Sequence, residues 1–595
     1  MIKERLAALR AEMDQRGISI YVVPTADFHE SEYVGEYFKA RKFITGFTGS
    51  AGTAVITMDH AGLWTDGRYF VQAAAQLEGS GVTLYKMGNE GVPTIHDFIK
   101  ANLKEGQTLG FDGRCLNARE AGAFRRIVSE NKANISFDLD LIDLIWKDRP
   151  VMSHEKAWLV EEKFSGQSTA DKLAAIRACM QEKGAEIHLI SSLCDIAWIL
   201  NIRGNDISYC PVVLSYLAIT TGETLWFVQE EALTAEVRAY MGQNGVQICA
   251  YNDFYTYVAD IPEGSKVLMD LNSINYRTLC NLRSGVKVID EMMPSTRLKC
   301  IKNEVEMANA RIAHEKDAVA MIEFIYWLKK NVGKIPMTEI SAADHLEELR
   351  RSQPGCLDLS FSTIAGFAEH GAIVHYGATP ETDAVIEPRS FLLVDSGGHY
   401  QEGTTDITRT IALGQVSQEM KDDFTLVLRS HLALANARFK KGCTGQNLDM
   451  YARAPFWQKG LDFNHGTGHG VGNVLNVHEG PQSIRWRSRG RNEEAIFTEG
   501  MITSDEPGIY LEGKYGIRTE SEILCREGVK NEYGQFMYFE NLTYVPIDLD
   551  AVDPAQMTAQ EKTWLNEYHA FVYEKMAGHF DGEILAWLKE STRAI

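Results

Sequence analysis

Asn464-His465-Gly466-Thr467-Gly468-His469-Gly470-Val471-Gly472-Asn473-Val474-Leu475-Asn476-Val477-His478-Glu479-Gly480 brings three histidines and five glycines into seventeen residues. The four-residue spacing of His465 and His469 would suit a metal-binding helix face, but the stretch has no HExxH pattern. Gly466, Gly468, Gly470 and Gly472 would each cost such a helix about 1 kcal/mol relative to alanine. An extended reading fits better. With a period of two, His465, Thr467 and His469 share one strand face, and the glycines between them let another backbone or a ligand approach closely. A Gly-rich loop with incidental histidines is the alternative when the stretch is taken alone.

Working outward, 595 residues exceed one hydrophobic core, and about 150 residues per domain gives three or four units. Eighty-one Asp and Glu against 60 Lys and Arg leave a net charge of −21, which argues against nucleic-acid or anionic-membrane partners. The first residues read as a charged amphipathic helix without a signal-peptide apolar core, and no apolar run approaches the roughly 18 residues of a membrane span. Ten scattered cysteines without a CxxC pair fit reduced thiols, so a cytoplasmic location is expected.

The front half reads as a duplication. Arg5 to Gly17, a helical pattern with Leu6, Leu9 and Met13 on one face, leads into Ile18-Ser19-Ile20-Tyr21-Val22-Val23. Lys172 to Gly184 followed by Ala185 to Ser191 repeats it without a gap at an offset of 167. Val55-Ile56-Thr57 leading to Leu63-Trp64 is echoed by Ala218-Ile219-Thr220 leading to Leu225-Trp226. Arg68 and Arg203 lie beside turn glycines and read equally as arms reaching from a sheet edge or as arginines satisfying nearby carbonyls. Near residue 300 a run with Ala308, Ile312, Val319, Ile322, Ile325 and Leu328 at helical spacing opens a last domain. The divisions expected are 1–155, 156–300 and 301–595.

Acidic residues in that last domain answer the histidines. Asp395 ends an apolar strand and Asp406 begins the return, with a midpoint between Tyr400 and Gln401; an unbulged hairpin would set them opposite each other, with Cβ atoms about 5 Å apart. Glu506 and Glu520 repeat the arrangement about Gly513. Surface acids on two hairpin tips are the alternative. Buried, such pairs need a counter-charge. Two divalent ions supply one: four carboxylates and a hydroxide carry −5 against +4, and one imidazole completes the set Asp395, Asp406, His469, Glu506 and Glu520. Oxygen-rich ligands with one nitrogen and no thiolate suit Mn²⁺, with Zn²⁺, Co²⁺ or Fe²⁺ also fitting.

These residues carry a resemblance. Asp395-Ser396-Gly397 with Thr404-Thr405-Asp406-Ile407-Thr408-Arg409-Thr410, His465 to Gly472, Asn476 to Pro481, Asp505-Glu506-Pro507-Gly508 and Gly516-Ile517-Arg518-Thr519-Glu520 resemble the long, three-domain Xaa-Pro aminopeptidases of the creatinase/methionine aminopeptidase superfamily. Trp64 to Tyr69 and Ala197 to Gly204 resemble that family's front domains. The fold implied is α/β: two duplicated creatinase-like N-terminal domains followed by a pita-bread catalytic domain. The activity implied is release of the N-terminal residue from peptides with proline second, by a hydroxide held between two metal ions. On the same basis Asp395 holds one metal, His469 and Glu506 the other, and Asp406 and Glu520 bridge both. Glu506 moves the proton toward the leaving imino nitrogen. His375 and His478 contact the peptide and stabilise the oxyanion, His465 lines the pocket, and Arg68 reaches substrate across a homodimer interface.

Departures from the family pattern are Ser521 where asparagine is expected, a polar Asn464, and the basic run Arg485-Trp486-Arg487-Ser488-Arg489-Gly490-Arg491. That run reads as a solvated loop or as an anion contact at the cleft rim. A prolidase restricted to Xaa-Pro dipeptides is the first rival, disfavoured by the duplicated front half. A metal-free peptide-binding scaffold is the second, disfavoured by the five intact ligand positions.

Overall fold

Residues 1–487 and 495–595 are described by a computed structural model, and they form two units. One comprises Met1–Glu161 and Gln167–Ser295, the other Glu162–Gly166 and Thr296–Ile595.

In the first unit, helix Ile2–Gln15 buries Leu6, Leu9 and Met13, and Gly17 at φ +66° turns the chain into strand Ile20–Pro24. Helix Thr169–Glu182, capped by Ser168, buries Leu173, Ile176 and Met180, and Gly184 at φ +64° turns it into strand Ile187–Ile190. Both bounds of the helix and the first residue of the strand recur at the offset of 167. Each copy carries a six-stranded sheet of one topology. The first runs Thr83–Lys86, Ala61–Thr65, Thr53–Thr57, Ile20–Pro24, Thr108–Phe111, Asn134–Ser136; the second runs Val246–Ala250, Thr224–Val228, Ser215–Thr220, Ile187–Ile190, Lys266–Met269, Lys287–Asp290.

The copies meet through reciprocal backbone bonds. Ala118 N–H donates to Ile274 O while Tyr276 N–H donates to Leu116 O; Arg119 N–H donates to Leu271 O while Arg277 N–H donates to Gly113 O. Asn117 and Asn275, each capping the helix that follows, bridge one another at the centre. Equivalent residues exchange equivalent bonds, as in an isologous dimer interface fused into one chain.

The second unit opens with helix Glu304–Asn331, started by a capping box between Asn303 and Glu306. Its C-terminal half behaves as the apolar spacing predicts: Ile322, Ile325 and Leu328 are buried with Leu392, Val394, Ile411 and Val572. Its N-terminal half differs. Ala308 and Ile312 are exposed, and the buried stripe there mixes Met307, Ala310 and Ala313 with polar groups, His314 beside Glu522 and Asp317 held by Arg350 and Tyr400. Met307 and Ala310 pack against Val471, Ile502, Leu524 and Leu542, so the helix turns Ala308 and Ile312 outward.

Strand Phe391–Ser396 lies between Ile364–Phe367 and Ile407–Ala412. A six-stranded sheet runs Arg438–Lys440, Gly534–Asn541, Ser521–Asn531, Ile502–Asp505, Gly468–Gly470, Glu479–Ile484. Hairpin Gly508–Leu511/Tyr515–Arg518 continues from it. Helices Gln418–Ala435 and Ala559–Met576 pack outside, burying Phe424, Leu428 and Leu565 with Phe391 and Ile517. No helix among the described residues is long and apolar enough to cross a membrane.

Candidate metal centre

Of the glycine-rich stretch only Gly468–Gly470 is a strand, threaded between Glu479–Ile484 and Ile502–Asp505; His465 and Thr467, expected to share a strand face with His469, lie before it in bends. The glycines admit neighbouring backbone: a Cβ on Gly468 would sit 1.9 Å from Ser504 O, and one on Gly470 2.3 Å from Glu479 O. Buried Arg453 and Asp449, one turn apart on helix Gly445–Trp457, fix the approach to this strand. Arg453 donates to Phe463 O and His465 O, and Thr467 Oγ1 donates to Asp449 Oδ1 at 2.6 Å.

The second acidic hairpin has the expected register. Asp505 pairs with Ser521 on one side and Gly508 with Arg518 on the other, which sets Glu506 across from Glu520. The first hairpin is shifted in register by two residues. Its turn is Gln401-Glu402, because Tyr400 pairs with Gly403, so Asp395 lies opposite Thr408 and Asp406 falls diagonally beyond the strand end. Thr408 takes the central place instead: its hydroxyl donates to Glu520 Oε2 at 2.7 Å and accepts from Arg518 Nε at 3.0 Å.

Asp406, His469 and Glu520 converge, each with one ligand atom within 4.8 Å of the others. His469 Nε2 lies 3.4 Å from Asp406 Oδ2 and 3.5 Å from Glu506 Oε1. Asp395 stands outside that trio. Its Oδ2 accepts from Arg518 Nη2 at 2.6 Å, and its Oδ1 is buried without a hydrogen-bond partner. His465 Nδ1 is 4.0 Å from Glu506 Oε2, its Nε2 2.9 Å from Tyr510 Oη, and the His478 ring stands perpendicular to His469 at 4.4 Å. Half-buried His375 follows the turn Ala368–Ala372, which packs on Tyr515–Arg518 so closely that a Cβ on Gly516 would sit 1.7 Å from Gly371 O.

In the first unit Arg68 forks onto Asp66, with both bonds 2.8 Å, and Arg203 donates to Ala197 O and Ile202 O, the local-carbonyl reading. Of the basic run, Arg487 stacks on Trp486 and Arg485 donates to Ser483; Ser488 to Arg491 lie outside the described residues. Ser521 Oγ accepts from Arg409, which also donates to Glu520 O.

The electrostatics are those of a set lacking positive charge. Burial pushes Asp406 up to about 6 against the pull of His469. Burial, then the charges of Asp406, Glu506 and Asp395, pushes Glu520 well above the carboxylate range. Burial raises Asp395 against Arg518. Glu506 is raised by burial but held below its ordinary value by His469, His465 and Arg518. His469 resists burial through Asp406 and Glu506 and rises to about 9, whereas burial takes His465 down to about 4. The orphaned Oδ1 of Asp395 and the proton-holding carboxylates fit hard divalent cations among oxygen donors.

Arg518, Tyr510 and Thr408 are the site residues that sequence reasoning did not single out. Arg518 sits inside the quoted motif Gly516 to Glu520, and its adjacency to Glu520 was the available signal.

Comparison with known proteins agrees. Residues 308–527 match metallopeptidase family M24 and 535–595 its C-terminal region, while 5–144 and 148–306 each match the creatinase/prolidase N-terminal domain. Aminopeptidase P2 of Arabidopsis thaliana is 37% identical over 634 residues, covering 100% of this chain and 89% of that protein. The X-prolyl aminopeptidase of Caenorhabditis elegans, a cytosolic enzyme with a di-nuclear active site, superimposes with a TM-score of 0.95 at 33% identity over 100% of both chains. The prolidase of Pyrococcus horikoshii reaches 0.50 at 25% identity, covering 64% of this chain and 99% of its own. Fold and site thus define an M24 metallopeptidase in which two creatinase-type α/β domains are followed in sequence by a pita-bread catalytic domain. The chain belongs to the Xaa-Pro aminopeptidase P family.

Proposed function

We propose that this chain is a metal-dependent aminopeptidase that releases the N-terminal residue from peptides with proline in the second position. The observation that carries the reading is the convergence of Asp406, His469 and Glu520 in a chain that matches an X-prolyl aminopeptidase end to end. In this reading Asp395, Asp406, His469, Glu506 and Glu520 would hold two divalent ions; Mn²⁺ would suit the donors, with Zn²⁺, Co²⁺ or Fe²⁺ as substitutes. Bound ions supply Lewis acidity and a water acidic enough to act as nucleophile at neutral pH.

The protein's own groups do the rest. Glu506 accepts a hydrogen bond from Ser504 Oγ and is held ionised by His469, which suits it to take the proton of the attacking water and deliver it to the leaving imino nitrogen. His478 and His375 donate to substrate carbonyl oxygens, where negative charge develops. His465, kept neutral by burial, lines the pocket without adding charge. Arg68 would contact the substrate of a second copy across a homodimer interface.

We also propose a cytoplasmic homodimer with domain divisions at 155 and 300. Exposed Trp457 and Trp486, in edge contact with ring centroids 5.9 Å apart, support a docking surface for a second copy. The test is hydrolysis of an Xaa-Pro-Pro tripeptide and an Xaa-Pro dipeptide with and without Mn²⁺. Metal-dependent turnover of the tripeptide is expected; strong preference for the dipeptide would return the prolidase reading, and no turnover with any metal the scaffold reading.

A further inference from the structure

Glu339 is the first residue of helix Glu339–Arg351, capped by Thr338, and it is fully buried. A carboxylate there is favoured by the helix dipole but needs donors to offset its lost hydration. All of them come from one segment, Phe367 to Ala384. Oε1 accepts from Phe367 N–H at 2.7 Å and from His370 Nδ1 at 2.9 Å; Oε2 accepts from Tyr376 Oη at 2.7 Å and from Ala384 N–H at 3.0 Å. The same helix start holds the segment's far end through Glu339 N–H to Ala384 O and Ile340 N–H to Asp383 Oδ1. Inside the clamp the His370 and Tyr376 rings stack at 4.5 Å, and the turn bonds Ile373 N–H to His370 O and Tyr376 N–H to Ile373 O enclose His375. The segment backs through Gly371 onto the strand whose Arg518 holds Asp395.

We infer that Glu339 is the positioning residue of the His375 segment, fixing where His375 meets the peptide; its kinetic consequence rests on the function proposed above. One carboxylate ties both ends and the middle of an otherwise irregular stretch to a rigid helix, so its loss loosens the segment that carries His375 without touching the residues around His469.

The test uses full-length protein and two variants, Glu339→Gln and Tyr376→Phe; the second removes a single donor and folds even where the first does not. Amide hydrogen exchange across residues 368–383 is expected to accelerate about tenfold or more, with exchange at Gly468–Gly470 unchanged. In the Mn²⁺-loaded enzyme, kcat/KM for an Xaa-Pro-Pro peptide falls roughly 10- to 100-fold in Glu339→Gln, at unchanged metal content. In a His375→Ala background the same substitution costs less than about threefold. Unaltered exchange in both variants, or an equal loss with and without His375, overturns the inference. A wild type inactive on the peptide would sink the proposed function instead, while the exchange comparison still decides Glu339.

Discussion

Arg518→Met offers a direct measure of how the centre is balanced. Arg518 is 2% exposed and donates to Asp395 Oδ2, Thr408 Oγ1 and Tyr510 Oη at 2.6, 3.0 and 2.8 Å. Methionine fills similar space with no donor and no charge. Removing one partner of a buried ion pair costs about 3–5 kcal/mol, because the other charge stays buried. At about 2 °C per kcal/mol for a large domain, the metal-free variant should melt roughly 6–10 °C below the wild type. Metal loading restores positive charge beside Asp395, so the deficit should shrink in Mn²⁺. Acid should shrink it too: Arg518 opposes the effect of burial on Asp395, so without it the carboxyl takes up a proton more readily, and the variant should fare relatively better at pH 5 than at pH 8. Thermal unfolding with chelator and with Mn²⁺, at both pH values, reads all three. A chelated variant melting within about 2 °C of the wild type, or a deficit indifferent to metal, would refute the reasoning.

Asp406→Ala and His469→Ala should each abolish turnover and lower bound metal while circular dichroism stays that of the wild type; full activity in either removes these residues from the mechanism. In the first unit, burial takes His188 and His29 down to about 4 from 6.5. Below pH 6.5 the unfolded chain binds protons that the folded chain refuses, so this stability is present above 6.5 and lost as pH falls toward 4, by about 3 kcal/mol per histidine. His188→Leu should lessen the acid-side fall in melting temperature between pH 7 and pH 4.5; an unchanged slope would assign the loss elsewhere.

The two acidic hairpins show why one register was legible and the other was not. Around Gly513 the chain makes one regular turn, and Glu506 meets Glu520 where counting from the turn places them. Between Asp395 and Asp406 a nested pair of short strands, Gly398–Tyr400 and Gly403–Thr404, sets the turn at Gln401-Glu402. Counting from the acids assumes they are the symmetry points, whereas backbone pairing at the turn decides. Helix Glu304–Asn331 teaches the same lesson. Its apolar spacing located the helix, but which side is buried at its start depends on Glu522 and Arg350, both remote in sequence.

Local pattern determined much of this protein. Helix, turn and strand within a single repeat are short-range, so the 167-residue duplication could be read from periodicity and glycines. The proposed ligand residues stand in short motifs whose chemistry is visible one residue at a time. Only the tertiary structure decided how those residues are balanced. Arg518 and Asp395 are 123 positions apart, and the tally of −5 against +4 comes to neutrality once that guanidinium is counted. Glu339 is likewise linked to Phe367, His370, Tyr376 and Ala384 only by folding. Charge compensation in a buried site acts through a few ångströms of space, and a linear sequence does not record that distance.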